Sequence, residues 1–208
     1  MENNILYILQ GLNLTLKLYI LTLLISLPLG VVLSLGSISK FKPLNWFIEI
    51  YTWIFRGTPL LLQLFFVYYG LPVFDITLDP FPAALITFVF NYSAYISEIF
   101  RGSILGVDSG QYEAAEVLGY NYFQTMRHII LPQSLITALP ALSNEAIALI
   151  KDTSLVSAIG MAEILRNSKE IVTRDFSITP FIICACIYLV LSTGIIFILK
   201  KIEKRVNI

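Results

Sequence analysis

Lys151 and Asp152 stand side by side in a stretch, Ser134 to Ala162, that is otherwise almost wholly apolar, and Asn144 and Glu145 lie about two helical turns before them. An ionisable side chain at the centre of a bilayer costs roughly 2.5–3.5 kcal/mol on insertion scales, so adjacent charges here need a cavity, a partner or both. A small zwitterionic solute needs donors for its anionic group and acceptors for its cationic one. Lys151 supplies the first, Asp152 or Glu145 the second, and Asn144, Thr153 and Ser154 complete a shell of neutral hydrogen bonds. Transporters place such groups near the midplane on interrupted helices. Two readings stand: the cluster lines a substrate path, or Lys151, Asp152 and Glu145 pair with one another and hold a kinked helix in place. Gln63, in a second apolar run, is a further path candidate. Glu98 and Arg101 are expected to pair along one helix face, and Arg56, just before Gly57 and Pro59, to anchor a turn at the interface.

Other chemistry is missing. No G-x-x-x-x-G-K-[ST] run occurs to cradle a nucleotide, and no Ser/His/Asp or Cys/His arrangement offers a nucleophile. His128 is the only histidine, which leaves no metal site. Cys184 and Cys186 fall in an apolar run on different helix faces and read as inert fillers. The formal net charge is zero, so no nucleic-acid partner is expected. The chain is read as a non-enzyme without a cofactor, and energy for any work must come from a partner.

The segment 106–132 is polar and structured. Asp108 or Ser109 can cap a first short helix, with Glu113 and Glu116 early in it, where the helix dipole favours carboxylates. Ala114 and Ala115 form helix without bulk, and Gly119 suits a left-handed stop. Asn121 with Gln124 forms a capping box that opens a second short helix. Pro132 is expected to stop that helix and start the next one. A small-faced helix with exposed carboxylates suits a cleft on another protein; a solvated loop helix is the plainer alternative.

These residues need a frame. The chain has 208 residues, 57% hydrophobic and 13% charged, about half the charge of an ordinary soluble domain. A membrane-spanning helix needs about 20 apolar residues, and no barrel-like alternation appears. The expectation is an all-α integral membrane protein, a single transmembrane unit over 1–208 with five spans near 14–39, 57–74, 80–104, 134–160 and 176–199. Pro140 is expected to kink the fourth, and a small extra helix to fall near Leu44 to Phe55. No cleaved signal peptide is expected before the first span. Lys200, Lys201, Lys204 and Arg205 mark a cytoplasmic C-terminus, and an odd number of spans then places the N-terminus outside. Lys40, Lys42, Arg56, Arg101 and Arg127 fall on the cytoplasmic side of this arrangement, Asp75 and Asp79 in an outer loop. Trp46, Tyr51 and Trp53 cluster where the second span enters the membrane.

The loop resembles the EAA loop of ABC-importer permeases: Glu113, Ala114, Ala115, Gly119, Ile129, Leu131 and Pro132 sit at that pattern's spacing. Arg56-Gly-Thr-Pro-Leu60, Tyr95-Ile-Ser-Glu-Ile-Phe-Arg-Gly102 and Leu149-Ile-Lys-Asp-Thr-Ser-Leu155 are similar to the polar amino acid permeases of the histidine/glutamine/arginine type. The resemblance implies an ABC type I importer permease in the cell's inner membrane, working by alternating access. It implies that Glu113, Ala114, Ala115, Gly119, Tyr120 and Arg127 couple the chain to two copies of an ABC ATPase, which bind ATP and Mg²⁺. It further implies a second permease, the same or a related one, and an extracytoplasmic amino-acid-binding protein. The first rival is a secondary amino-acid transporter subunit driven by an ion gradient. The second is a non-transporting membrane scaffold, which has little reason to bear buried charges.

Overall fold

A computed structural model describes residues 2–206, and among these the chain is helical throughout, without strands. The long helix α1 covers Glu2–Ser37. Its buried stripe is rich in small and hydroxylated residues: beside Ile8 and Leu18, Thr15, Thr22, Ser26 and Ser34 are fully buried, with Gly11 and Gly30 on the same face. In an apolar solvent helices associate by close packing rather than by hiding oil from water, so small residues mark the contact. A Cβ on Gly30 would lie 2.4 Å from Ile96 Cγ2. The Thr15, Ser34 and Ser37 hydroxyls donate to carbonyls of their own helix at 3.1, 2.7 and 2.7 Å, which satisfies them without water.

The partner of that stripe is α4, Pro80–Leu105, the central helix, against which α1, α2, α3 and α7 all pack. Between α1 and α4 lie α2 (Lys42–Gly57) and α3 (Leu60–Phe65), bent by 103° where Gly57, Thr58 and Pro59 interrupt the helix. The extra helix expected near Leu44 to Phe55 is α2. From α3 the chain continues through a π-helical turn, Phe66–Gly70, and a 3-10 turn, Leu71–Phe74. Trp46 and Trp53 of α2 are exposed, whereas Tyr51 turns inward and donates to the Phe90 carbonyl at 2.6 Å.

After α4 come α5 (Ser109–Val117) and α6 (Tyr122–Thr125), a π-helical turn (Met126–Ile130), and α7 (Leu131–Asp152). One proline expectation needs correction here. Pro132 does not stop a helix: the backbone stays helical from Tyr122 onward, and the π turn, with the Leu131 N–H bonded to the Met126 carbonyl, widens the ladder ahead of the proline. Pro140 lies inside α7, which runs through it. The change of winding comes at Asp152, where a 3-10 helix, Thr153–Ile159, takes over until Gly160 at φ +85°.

Two helices finish the chain, α8 (Ile164–Asp175) and α9 (Thr179–Val206). Three helices, α1, α4 and α9, are each long and apolar enough to cross a bilayer, and α2 with α3 and the following turns makes a fourth, bent candidate. Helix α9 is peripheral; Leu189, Val190, Phe197 and Ile198 point away from the bundle. Helix α8 is amphipathic, burying Ile164, Asn167, Ser168 and Ile171 against α1 and α9.

Candidate functional site

Consecutive helical residues diverge by about 100°, and that separates the central charges. Asp152 turns toward α4, where the buried Tyr92 hydroxyl donates to its Oδ2 at 2.7 Å. Glu145, half-buried, lies two turns earlier on the same face of α7. Lys151 points the other way. It is exposed and, with Ser154, lines a cavity of about 430 Å³ walled by Phe181 and Tyr188 of α9. No ion pair joins Lys151 to Asp152 or Glu145 among the described residues. The expectation of mutual pairing is thereby corrected: neighbours in sequence face different neighbours in space. Asn144 is exposed, whereas Thr153 is fully buried and its hydroxyl donates to the Ile150 carbonyl at 2.7 Å.

Gln63 has a full set of protein partners. Its Nε2 donates to the Phe55 carbonyl at 2.9 Å and to the Thr58 hydroxyl at 2.8 Å, and its Oε1 accepts from Asn91 Nδ2 at 3.0 Å. Asn91 also donates to the Phe55 carbonyl at 2.9 Å. The break between α2 and α3 frees backbone carbonyls that lipid cannot satisfy, and these two amides bind them back.

Arg56 is more than a turn anchor. Glu98 Oε2 meets Arg101 at 2.8 Å and Arg56 at 3.3 Å, so one carboxylate ties α2 to α4.

The segment 106–132 is built as its residue types suggest. Asp108 caps α5, accepting from the Gly110 N–H at 2.7 Å. Gly119 takes φ +76°, the Gly119 N–H reaches the Glu116 carbonyl at 2.9 Å and the Tyr120 N–H the Ala115 carbonyl at 3.0 Å. That bond pair is a Schellman stop. The capping box is complete, with Asn121 and Gln124 exchanging bonds of 2.9 and 3.0 Å. One expectation fails: with α5 starting at Ser109, Glu113 sits mid-helix and Glu116 in the last turn, so neither gains from the positive dipole end. Ala115 is fully buried and Tyr112 packs beside Ile104, Met126 and Ile130, where burial holds the phenol proton above its usual range. Glu113, Ala114, Gly119, Tyr120 and Arg127 remain exposed, flanked by exposed Val117, Leu118, Tyr122 and Phe123.

Three residues escaped the sequence reading. Tyr92 and Asn91 are polar interruptions in the apolar run of α4, a signal that was available. Glu163 is fully buried, caps α8 by accepting from the Leu165 and Arg166 N–H groups at 2.7 and 2.6 Å, and accepts from the Tyr188 hydroxyl at 2.9 Å. Gly11 of α1 lies against its peptide so closely that a Cβ would come within 2.4 Å of the Glu163 carbonyl carbon.

Residues 26–208 match the family described as the binding-protein-dependent transport system inner membrane component. The chain belongs to this family. It is 41% identical over 203 residues to the arginine transport system permease protein ArtQ of Bacillus subtilis, covering 97% of this chain and 93% of that one. It is likewise 41% identical over 199 residues to the L-cystine transport system permease protein TcyB of the same organism, covering 95% and 85%. Among solved structures, an amino acid ABC transporter crystallised with histidines superposes with a TM-score of 0.89 at 38% identity, over 96% of this chain and 94% of that chain. The MetNI methionine ABC transporter, at 20% identity and TM-score 0.82, shares the fold. The chain is thus the multi-pass permease component of an ABC importer, a transport subunit rather than an enzyme, and the ATPase is a separate subunit.

Proposed function

We propose that this permease forms the path of an ATP-driven importer of polar amino acids and is driven through segment 106–132. The observation that carries the reading is α5 itself, a rigidly capped helix that presents Glu113 and Ala114 and ends in apolar Val117 and Leu118, at 87% and 72% exposure. A solvated loop helix has no use for such side chains; a groove on an ATPase does. Glu113 makes the polar contact in that groove, Ala114 allows close approach, the buried Ala115 seats α5 against its own chain, Gly119 sets the turn, and Tyr120 and Arg127 flank it.

The topology has five crossings, with segment 106–132 and the C-terminus in the cytoplasm and the N-terminus outside. Two permeases, identical or related, enclose the path; an extracytoplasmic binding protein delivers the amino acid; two ATPase subunits close on ATP and Mg²⁺ and push on α5. The spans then tilt and open the path to alternate sides. On α7 the two faces divide the work. Glu145 and Asp152, with Tyr92, supply acceptors for an ammonium group, and Lys151 with Ser154 supplies donors on the other face. Asn144 lies beside Glu145 at the exposed surface. Thr153 holds the change from α to 3-10 winding, and Gln63 keeps the α2–α3 bend in shape beside the path. Support for an amino acid as cargo comes from the relatives named for arginine and cystine.

Purification from gently solubilised native membranes tests this. A P-loop ATPase should accompany the wild-type chain and be lost on Glu113→Lys. An ATPase that stays bound to the variant as tightly as to the wild type contradicts the role given to α5.

A further inference from the structure

A groove of about 720 Å³ opens between the end of α1 and the π turn that leads into α7. Leu35, Ile38 and Leu131 line it, together with the exposed rings of Tyr122 and Phe123. Lys40 and Arg127 line it as well, and no carboxylate does. Both cations are exposed and neither is paired with a carboxylate among the described residues. The neighbouring cavity makes the contrast plain: there Arg56 and Arg101 are both answered by Glu98, with Glu49 beside them.

On the topology proposed above, on which this inference rests, the groove lies where the first span ends and the fourth begins, at the cytoplasmic boundary between hydrocarbon and headgroups. An apolar slot at that depth, with two unanswered cations and no anion, has the polarity of an acidic phospholipid in reverse. We propose that the groove holds one acidic phospholipid of the cytoplasmic leaflet, its phosphate bridged by Lys40 and Arg127 and an acyl chain laid on Leu35 and Ile38. The lipid then braces the end of α1 against the π turn, which carries Arg127 and follows α6 directly. The stiffness with which α5 transmits a push thereby depends on leaflet composition.

The test uses the assembled transporter in nanodiscs of phosphatidylcholine, alone or mixed with phosphatidylglycerol. Native mass spectrometry counts the phosphatidylglycerol retained per permease, and ATP-driven uptake is followed in vesicles of the same lipids. Wild type should retain one phosphatidylglycerol more than Lys40→Gln, whose affinity falls about fivefold for the loss of one cation near an anionic headgroup. Lys40→Arg should keep it, and Leu35→Trp, which fills the slot without altering charge, should lose it. Equal retention in wild type and Lys40→Gln overturns the site, as does a photo-crosslinker at Ile38 that labels the ATPase and not the lipid. Either result with wild-type uptake still driven by ATP sinks the lipid site alone; wild-type uptake that ignores ATP in every lipid sinks the importer reading beneath it.

Discussion

Gly119 offers the sharpest perturbation of the coupling segment. It sits at φ +76° and a Cβ added there meets nothing within 4 Å, so a substitution costs backbone conformation and not packing. For an L residue that cost is about 1–2 kcal/mol, and less for Asn, which visits the left-handed region more readily. The cost falls on the two bonds, 2.9 and 3.0 Å, that close α5. Since 1.4 kcal/mol is tenfold, Gly119→Ala should weaken ATPase binding about tenfold and Gly119→Asn clearly less. Gly119→Asp adds a carboxylate beside Glu116 and should abolish uptake while the chain still inserts into the membrane. The assay is titration of purified ATPase onto permease in nanodiscs, with vesicle uptake run alongside. Wild-type affinity in Gly119→Ala, or normal uptake in Gly119→Asp, would refute the reasoning.

Gly30→Ala should destabilise by about 1–3 kcal/mol through its clash with the Ile96 side chain and be partly offset by Ile96→Ala, which removes the Cγ2 at 2.4 Å and leaves the Cβ at 2.7 Å, whereas Gly11→Ala, which meets the Glu163 backbone at 2.4 Å, should have no single side-chain rescue; thermal unfolding in detergent reads both. Asp152→Asn and Lys151→Met should each alter transport rate or substrate preference; unchanged rate and preference in both would remove this cluster from the path. The Tyr7 hydroxyl and then Arg166 hold the Glu170 carboxyl below its usual range. A carboxyl lowered in the folded state adds stability above its unfolded pKa, about 4.3, and that stability fades as pH falls through the lowered value. The loss on acidification should be small, because the site is exposed, and smaller still in Tyr7→Phe; melting curves at mildly acid pH show whether it is.

Local devices were readable from residue types alone. The Schellman stop at Gly119 and the Asn121–Gln124 box involve residues within five positions of one another, so no tertiary information is needed. The apolar runs were readable for the same reason, since lipid leaves the backbone no choice but to bond internally. The losses came where a residue's neighbour lies far along the chain. Whether Lys151 and Asp152 pair depends on Tyr92 standing opposite one of them and α9 opposite the other. The part Gln63 plays at the α2–α3 bend was hidden because its partner Asn91, at 3.0 Å, is on another helix. Pro132 was expected to break a helix that a π turn instead carries past it. Helix α8 was passed over because its apolar side is narrow, and the buried Glu163 that caps it needs α9 to supply Tyr188.

The most direct measurement is uptake into vesicles that contain the permease, its ATPase and a loaded binding protein, with ATP inside or absent and ion gradients imposed or collapsed. The account predicts uptake only with ATP, indifferent to ionophores, and abolished by Glu113→Lys. Uptake that runs without ATP and stops when an ion gradient is collapsed would contradict it and favour a gradient-driven carrier.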